Sequence, residues 1–290
     1  MRNYVIVTDS TSDLPDDIIS NLGIKVIPLT FEIAGKSYLD HPKDSEWNLH
    51  DFYERLRNGE KPVTSLINTG TFIEEFSPIL KDGFDILYIA FSSALSGTYN
   101  SCMIAIEELR GTYPDAKMIA IDSKCASVGE GLLVYSAAKK KEAGMNIEDL
   151  QNWIQQNMLK ICHWFTVDDL NHLKRGGRVS SFSATIGTAL NIKPVLHVDN
   201  EGRLIPMEKV RGRKKSIVQL FHHMEQTCIN PEEQVVFIGH GDTKEDAEYL
   251  AELIREKLPV KEIIITYVGP VVGTHSGPGT IALFFFGTER

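Results

Sequence analysis

The chain has 290 residues, 42% hydrophobic and 24% charged, which is the composition of a globular protein with one large or two ordinary domains. Its net charge of −9 argues against a nucleic-acid partner, because such proteins usually carry a basic face. No apolar run reaches the roughly 18 residues of a membrane-spanning helix, and the start "MRNYVIVTDS" lacks a signal-peptide pattern, so we predict a cytoplasmic protein. The four cysteines form no C-x-x-C pair and are predicted to be buried thiols.

Short apolar runs alternate with helical segments through the first 160 residues. "YVIVTDS" (4–10) is rich in β-branched residues and closes with turn formers, which predicts a buried strand; "DILYIA" (85–90) has the same character. "IKVIPLTFEIAGKSYLD" (24–40) predicts a strand and then a hairpin with a Gly-Lys turn. Strands that alternate with helices of about ten or more residues predict an α/β fold with a mostly parallel, Rossmann-like sheet.

The pattern changes near Lys160. "KPVLHVDNEGRLIPMEKVR" (193–211) reads as two alternating strands around Asn200, Glu201 and Gly202, which is a hairpin signal. Two further helices and three strands follow. We therefore predict an N-terminal α/β domain over 1–160 and a C-terminal α+β domain over 161–290.

Several common enzyme motifs are absent from the sequence. There is no P-loop, no dinucleotide-binding G-x-G-x-x-G after a strand, and no H-E-x-x-H zinc motif. A nucleophile elbow is not formed at Ser96, because Ala94 and Thr98 replace its glycines. We therefore expect no cofactor and no metal.

Three segments rich in small hydroxyl residues and glycine stand out: "VTS" (63–65), "FSSALSGTY" (91–99) and "GTHSGPG" (273–279). Ligands of open α/β sheets bind at the carboxyl ends of strands, and helix N-termini offer free N–H groups. These segments together predict a site for one carboxylate or phosphate. "GTHSGPG" is expected to be a rigid, exposed loop from which His275 contacts the ligand.

Each of these residues also has a structural interpretation. Ser96 suits a plain N-cap of a helix over 97–110, and Thr64 suits a turn. "LKRGGRVSS" (173–181) is either a helix C-cap with basic residues or a loop that contacts an anion or a partner. "SFSATIGTALNIKPVL" (181–196) is either a core helix leading into a strand or the wall of an apolar cavity.

With these segments in place, the sequence resembles the DegV family, whose members resemble the fatty-acid-binding subunit of bacterial fatty acid kinase. The resemblance spans nearly the whole chain, and its motifs occur in the family's order. They include "VTDSTSDLP", "PVTS", "SSALSGTYNS", "IDSKCASVGEG", "DLNHLKRGGRVS", "NIKPVL", "KVRGRKKS" and "GTHSGPGT".

This resemblance implies an EDD fold of two domains with a fatty acid between them, its acyl chain in an apolar tunnel. By motif, the carboxylate meets Thr64, Ser96 and His275, with Ser65 and Gly97 as near neighbours. Many members read T-S-Q-P-S where this chain reads T-S-L-I-N, so contacts of residues 66–68 are not carried over. Arg175 and Arg178 are carried over as contacts to phosphate or to the kinase partner.

The predicted function is therefore that of a non-enzymatic protein that binds a long-chain fatty acid. It presents the carboxylate to a separate ATP-dependent kinase subunit, and peripheral membrane contact would allow lipid exchange. The alternative is a hydrolase or acyltransferase that uses Ser96 and His275 on a lipid ester. A third hypothesis is a regulator whose surface is read by a protein partner once lipid is bound.

Overall fold

A computed structural model of the chain describes residues 2–40, 48–179 and 191–290. The strands are β1 (Tyr4–Asp9), β2 (Lys25–Ile27), β3 (Thr30–Ile33), β4 (Lys36–Leu39), β5 (Val63–Ser65), β6 (Asp85–Ala90), β7 (Met118–Asp122), β8 (Ile161–Thr166), β9 (Ile192–Val198), β10 (Leu204–Arg211), β11 (Val235–His240), β12 (Glu262–Tyr267) and β13 (Ile281–Phe286). The helices are α1 (Asp16–Asn21), α2 (Leu49–Arg57), α3 (Thr69–Lys81), α4 (Thr98–Thr112), α5 (Val128–Glu142), α6 (Ile147–Asn157), α7 (Asn171–Arg175), α8 (Arg213–Thr227), α9 (Lys244–Lys257) and α10 (Pro270–Ser276).

A parallel sheet of four strands, in the order β2-β1-β6-β7, forms the first layer. All six residues of β6 are buried, as are five of the six in β1. Strands buried along their whole length are typical of parallel sheets covered on both faces by helices. The predicted Rossmann-like parallel sheet is therefore confirmed.

A mixed sheet of six strands, in the order β10-β9-β8-β13-β11-β12, forms the second layer. Only β11 and β12 pair in parallel in this sheet; its other pairings are antiparallel. The predicted hairpin is present as β9 and β10, and Gly202 adopts a positive φ of 79° in its turn. The fold is thus α/β with a parallel and a mixed sheet, in two domains; the boundary at residue 160 stays a prediction.

Helix α5 packs against strands of both sheets. One hydrophobic core cluster joins Leu132 and Leu133 of this helix to Leu87 of β6 and to Phe237 and Phe284 of the mixed sheet. The two layers therefore share apolar core around a single helix.

A small antiparallel sheet, in the order β4-β3-β5, forms the third sheet. Its hairpin turn lies at Ala34 and Gly35, with φ of 52° and 76°, so the predicted Gly-Lys turn is off by one residue. Two successive positive φ values are typical of the type I′ turn, whose twist matches that of the flanking strands. Lys36 is not a turn residue but pairs with Ile33 in the ladder. Strand β5 was not predicted, because three residues are too short for a periodic pattern.

The expectation of an exposed loop at "GTHSGPG" is wrong. Residues up to Ser276 belong to helix α10, which ends before Gly277 (φ 81°), and most of residues 270–280 are buried. The helix packs against α2, α7 and the small sheet. Seven residues, of which one is glycine, carry too little helical pattern to be recognised without that packing.

Three other sequence predictions concern the cysteines, the segment 181–196 and membrane-spanning helices. Cys102, Cys125 and Cys162 are buried free thiols, and Cys228 is a partly buried one. The segment predicted as a core helix or cavity wall lies outside the described residues up to residue 190, and from Ile192 it forms β9. Nowhere in the described chain is there a helix long and apolar enough to span a bilayer.

Candidate functional site

A largely apolar cavity opens at the carboxyl ends of β1 and β6. The chain runs from β1 to β2 on one side and from β6 to β7 on the other, so the strand order reverses between these two strands. Such a switch point leaves a crevice in which ligands bind. Thr11 follows β1, Phe91 and Leu95 follow β6, and all three line a cavity of about 200 Å³.

Most of the cavity wall is apolar, and the mixed sheet supplies a large part of it. The apolar lining residues include Leu29, Leu66, Phe91, Leu95, Phe165, Leu173, Val198, Leu204, Val268, Val271, Val272, Ala282 and Phe284. The cavity therefore lies between the parallel and the mixed sheet, where an alkyl chain would be removed from water.

Thr64 and His275 come together in the polar part of this wall. Thr64 lies in β5 opposite Phe31 of β3, and His275 lies in the last turn of α10. Thr64 Oγ1 and His275 Nε2 are 3.0 Å apart, whereas His275 Nδ1 is buried with no hydrogen-bond partner. Burial, and secondarily the charge of Arg178, lower the pKa of His275 to about 4, so its ring is neutral at neutral pH.

Ser96 and Gly97 line the same cavity just before α4. Ser96 Oγ accepts a hydrogen bond from the Thr98 amide at 3.3 Å and lies 2.9 Å from Thr98 Oγ1. The N-cap of α4 is Gly97, without a side-chain capping bond, so the interpretation of Ser96 as the N-cap is wrong: Ser96 lies one residue before the cap, on the cavity wall. Ser65 completes the predicted group on the side of β5.

The other hydroxyls of the run serve the fold. Ser92 Oγ donates to the Gly202 carbonyl at 2.9 Å, and Ser93 Oγ bonds to Asp122. Neither residue lines the cavity. Ser96 is the member of the serine run that faces the candidate ligand site.

The three basic residues around the Gly-Gly turn, Lys174, Arg175 and Arg178, lie in different environments. Arg178 lines the cavity, and its guanidinium donates to the Leu95 carbonyl at 3.2 Å and the Gly176 carbonyl at 2.5 Å. Arg175 and Lys174 are exposed, and Arg175 lies 3.0 Å from His172 Nδ1. Arg178 thus lies on the cavity, whereas Lys174 and Arg175 lie on the protein surface.

Gly176 is a site residue that sequence reasoning missed. A Cβ atom at this position would lie 2.1 Å from His275 Nδ1, so the ring needs a glycine there. The doubled glycine was the available signal, but only the packing of α10 on α7 shows which glycine contacts the histidine.

Two buried acids behind the cavity wall were also missed. The Asp9 carboxylate accepts hydrogen bonds from the Thr11 amide at 3.1 Å, the Tyr88 hydroxyl at 2.8 Å and the Phe91 amide at 3.3 Å. Glu130 accepts one from the Thr8 hydroxyl at 2.8 Å. Burial raises the pKa of both acids. They fix the loops after β1 and β6 without lining the cavity.

The electrostatics of the cavity suit a single anionic head group. Arg178 is its one Lys or Arg, and no Asp or Glu of the described chain lines it. Burial also holds the pKa of His163 well below its usual range, so this second lining histidine is neutral. His275 Nε2 contacts Thr64, and no acid orients its Nδ1, so the arrangement of a Ser-His-acid triad is not formed among the described residues.

Comparisons with known proteins agree with this architecture. The DegV family model, described as an uncharacterised protein family, matches residues 3–288. A DegV domain-containing protein of Clostridium perfringens is 50% identical over 290 residues, covering 100% of this chain and 99% of that protein.

Two solved structures are similar over almost the entire length of the chain. A DegV lipid-binding protein of Thermotoga maritima superposes with a TM-score of 0.87 at 30% identity, covering 99% of each chain. A DegV family protein of Thermus thermophilus, described for its fatty acid binding, gives a TM-score of 0.87 at 29% identity, covering 99% of this chain and 100% of that one. The chain belongs to the DegV family.

Proposed function

We propose that this protein binds a long-chain fatty acid in the cavity between its two main sheets and presents the carboxylate to a separate kinase. The observation that carries the proposal is the shared placement of Thr64, Ser96 and His275 on one apolar cavity with a single cation. Family members of known structure that bind lipid or fatty acid support it.

The carboxylate would be held by neutral donors together with Arg178. When the proton of the His275 ring is on Nε2 and not on the unpartnered Nδ1, Nε2 donates to Thr64 Oγ1. The hydrogen of the Thr64 hydroxyl is then free to donate to the ligand. Ser96 Oγ accepts from the Thr98 amide, and when Thr98 Oγ1 also donates to it across their 2.9 Å contact, the Ser96 O–H is available to the ligand. Hydrogen bonds to a charged group contribute about 1.5–3 kcal/mol each, and each buried methylene adds about 0.8 kcal/mol.

Two observations support presentation to a separate kinase: the sequence lacks common nucleotide-binding motifs, and basic residues are exposed near Arg178. Its sequence has neither a P-loop nor a dinucleotide fingerprint, so phosphoryl transfer would require a second protein. Lys174 and Arg175 are exposed in the last turn of α7, a few residues before Arg178. Leu66, 47% exposed yet lining the cavity, supports peripheral membrane contact during lipid exchange.

The lipid-binding half of the proposal is tested by extracting purified protein and identifying its lipid by mass spectrometry. Fatty-acid affinity is then measured for Ser96→Ala and for the matched control Ser93→Ala, whose hydroxyl bonds Asp122 outside the cavity. We expect roughly tenfold or greater weakening for Ser96→Ala alone. Equal affinities of the two variants would contradict the assignment, and ester hydrolysis by delipidated protein would favour the hydrolase alternative.

The kinase half is tested with the ATP-dependent subunit of a bacterial fatty acid kinase. Arg175→Ala should keep fatty-acid affinity and lower phosphorylation of the bound acid, whereas Arg178→Ala should lower affinity itself. Phosphorylation without the added subunit, or full phosphorylation of Arg175→Ala, would contradict presentation by the segment that carries Arg175.

A further inference from the structure

A second cavity, of about 370 Å³, lies on the other side of the loop that follows β1. It is lined by eight oxygen-bearing side chains and six apolar ones, and it contains no lysine, arginine or histidine of the described chain. Its polar lining side chains are Ser10, Ser12, Asp13, Asp16, Asp40, Asn48, Thr266 and Tyr267. Three carboxyl groups therefore face one cavity without a lining cation.

Two of these carboxyl groups are buried and converge on one point. Asp13 and Asp40 are 8% and 6% exposed. A Cβ atom on Gly269 would lie 2.6 Å from Asp13 Oδ1 and 3.5 and 3.6 Å from the two carboxylate oxygens of Asp40. The absence of a side chain at Gly269 is what leaves this space between the two acids.

The hydrogen bonds of the pair leave one oxygen unsatisfied. Asp13 accepts from the Gly269 amide at 2.9 Å and from the Ser127 hydroxyl. Asp40 is bonded by the Ser10 hydroxyl and the Val271 amide, yet its Oδ2 is buried with no hydrogen-bond partner. A buried acceptor without a partner is unfavourable, so Asp40 Oδ2 can still accept a hydrogen bond or bind a cation.

We propose that Asp13 and Asp40 bind a hard divalent cation, Mg²⁺ or Ca²⁺, at the inner end of this cavity. Both ions prefer carboxylate and hydroxyl oxygens, and Mg²⁺ is commonly held by one or two carboxylates with water in the remaining positions. The cavity offers oxygen ligands and room for water, and Asp16 adds negative charge at its wall. This site is separate from the fatty-acid cavity and does not depend on the function proposed for it.

The test uses terbium luminescence on the full-length protein after treatment with a chelator. Tb³⁺ takes the same hard oxygen ligands, and Tyr267 in the cavity wall can sensitise its emission. We expect saturable emission from the wild type that Mg²⁺ or Ca²⁺ displaces. Asp40→Asn, which keeps the side chain's shape and removes its charge, should weaken Tb³⁺ binding roughly tenfold or more.

A second variant excludes a competing site near the same tyrosine. His50, Glu54 and Asp242 form an exposed group that could also hold an ion, and the Tyr267 hydroxyl lies 3.2 Å from Asp242 Oδ1. Arg57 already pairs with Asp242 in that group, so we expect Glu54→Gln to leave the titration unchanged. Loss of emission in Glu54→Gln with retention in Asp40→Asn would overturn the proposal.

The wild type alone gives an independent readout if Asp40→Asn does not fold. Millimolar Mg²⁺ or Ca²⁺ should raise its melting temperature by roughly 2–5 °C over the chelated protein, because a ligand of the native state stabilises it. An unchanged melting temperature together with no saturable Tb³⁺ emission would show that the two carboxyl groups share protons instead, and would overturn the cation site.

Discussion

At the scale of single residues, His275 is the side chain whose chemistry depends most on its surroundings. Its Nε2 has a partner in Thr64, its Nδ1 has none, and Arg178 lies close enough to disfavour a second proton. A neutral imidazole is therefore part of the folded state, which ties the stability of the protein to pH.

Replacement of His275 by glutamine should change how stability depends on pH. The pKa of His275 falls from 6.5 to about 4 on folding, so the unfolded chain binds more protons between these values. Above pH 6.5 the ring is neutral in both states and adds no pH dependence. As the pH falls toward 4, the unfolding free energy of the wild type should decrease relative to that of His275→Gln by roughly 2–3 kcal/mol, reduced from the full value for partial exposure.

Urea unfolding of both proteins without fatty acid, at neutral pH and near pH 4.5, measures this difference. Parallel pH profiles of the wild type and His275→Gln would contradict it.

Gly176 is predicted to be essential for the orientation of that histidine. Its φ of −71° would accept an alanine, so the effect of Gly176→Ala should come from the methyl group, 2.1 Å from His275 Nδ1. We expect the displaced ring to lose Thr64 and fatty-acid affinity to fall roughly tenfold. Titration calorimetry with a fatty acid checks this, with Gly111→Ala, which meets no atom within 4 Å, as the control. Equal affinities would show that the ring does not depend on this contact.

At the scale of secondary structure elements, the β9–β10 hairpin is hydrogen-bonded to the loop after β6. The Ser92 hydroxyl donates to the Gly202 carbonyl in the hairpin turn, at 2.9 Å. A Cβ atom on Gly202 would lie 2.1 Å from Ser92 Oγ and 3.1 Å from Lys124 Cα. This contact joins the loops after β6 and β7 of the parallel sheet to the hairpin of the mixed sheet.

Gly202→Ala should therefore lower the unfolding free energy by more than the backbone strain of an alanine at positive φ would. Gly23 provides the control, because its φ of 59° is also positive but a Cβ there meets no atom within 4 Å. We expect about 1 kcal/mol of lost unfolding free energy for Gly23→Ala and roughly 2–4 kcal/mol for Gly202→Ala. Denaturant unfolding measures the unfolding free energy of both variants. Similar losses in the two would show that the hairpin turn accommodates the methyl group without displacing Ser92.

At the scale of the whole molecule, the two sheets share one core through α5. Leu133 is fully buried in the cluster that also holds Phe237 and Phe284 of the mixed sheet. A boundary at residue 160 would therefore divide the chain but not its apolar core, so the two parts should unfold together.

We expect one unfolding transition, with coincident midpoints by tryptophan fluorescence and far-ultraviolet circular dichroism. Leu133→Ala should lower the unfolding free energy by about 2–5 kcal/mol and shift both midpoints together. Ile104→Ala, at a side chain 56% exposed, should change little. Separate transitions, or a shift of one probe only in Leu133→Ala, would show that the layers are independent.

The sequence by itself determined the elements whose signals are local. Uninterrupted apolar runs predict β1 and β6, the turn at Asn200–Gly202 predicts the β9–β10 hairpin, and the serine-rich run predicts polar groups between β6 and α4. The motifs also led to the DegV family. These predictions succeed because strand burial, turn chemistry and helix starts depend on residues a few positions apart.

Only the tertiary structure decided which of those polar residues share a site. Thr64 and His275 are 211 positions apart, and their contact requires both the β5–β3 pairing and the short helix α10. Among the serines, the loop's path turns Ser92 toward the hairpin and leaves Ser96 on the cavity. The convergence of Asp13 and Asp40 at Gly269 likewise brings together three distant segments. Such contacts arise from the packing of whole elements, which a local pattern of residue types does not encode.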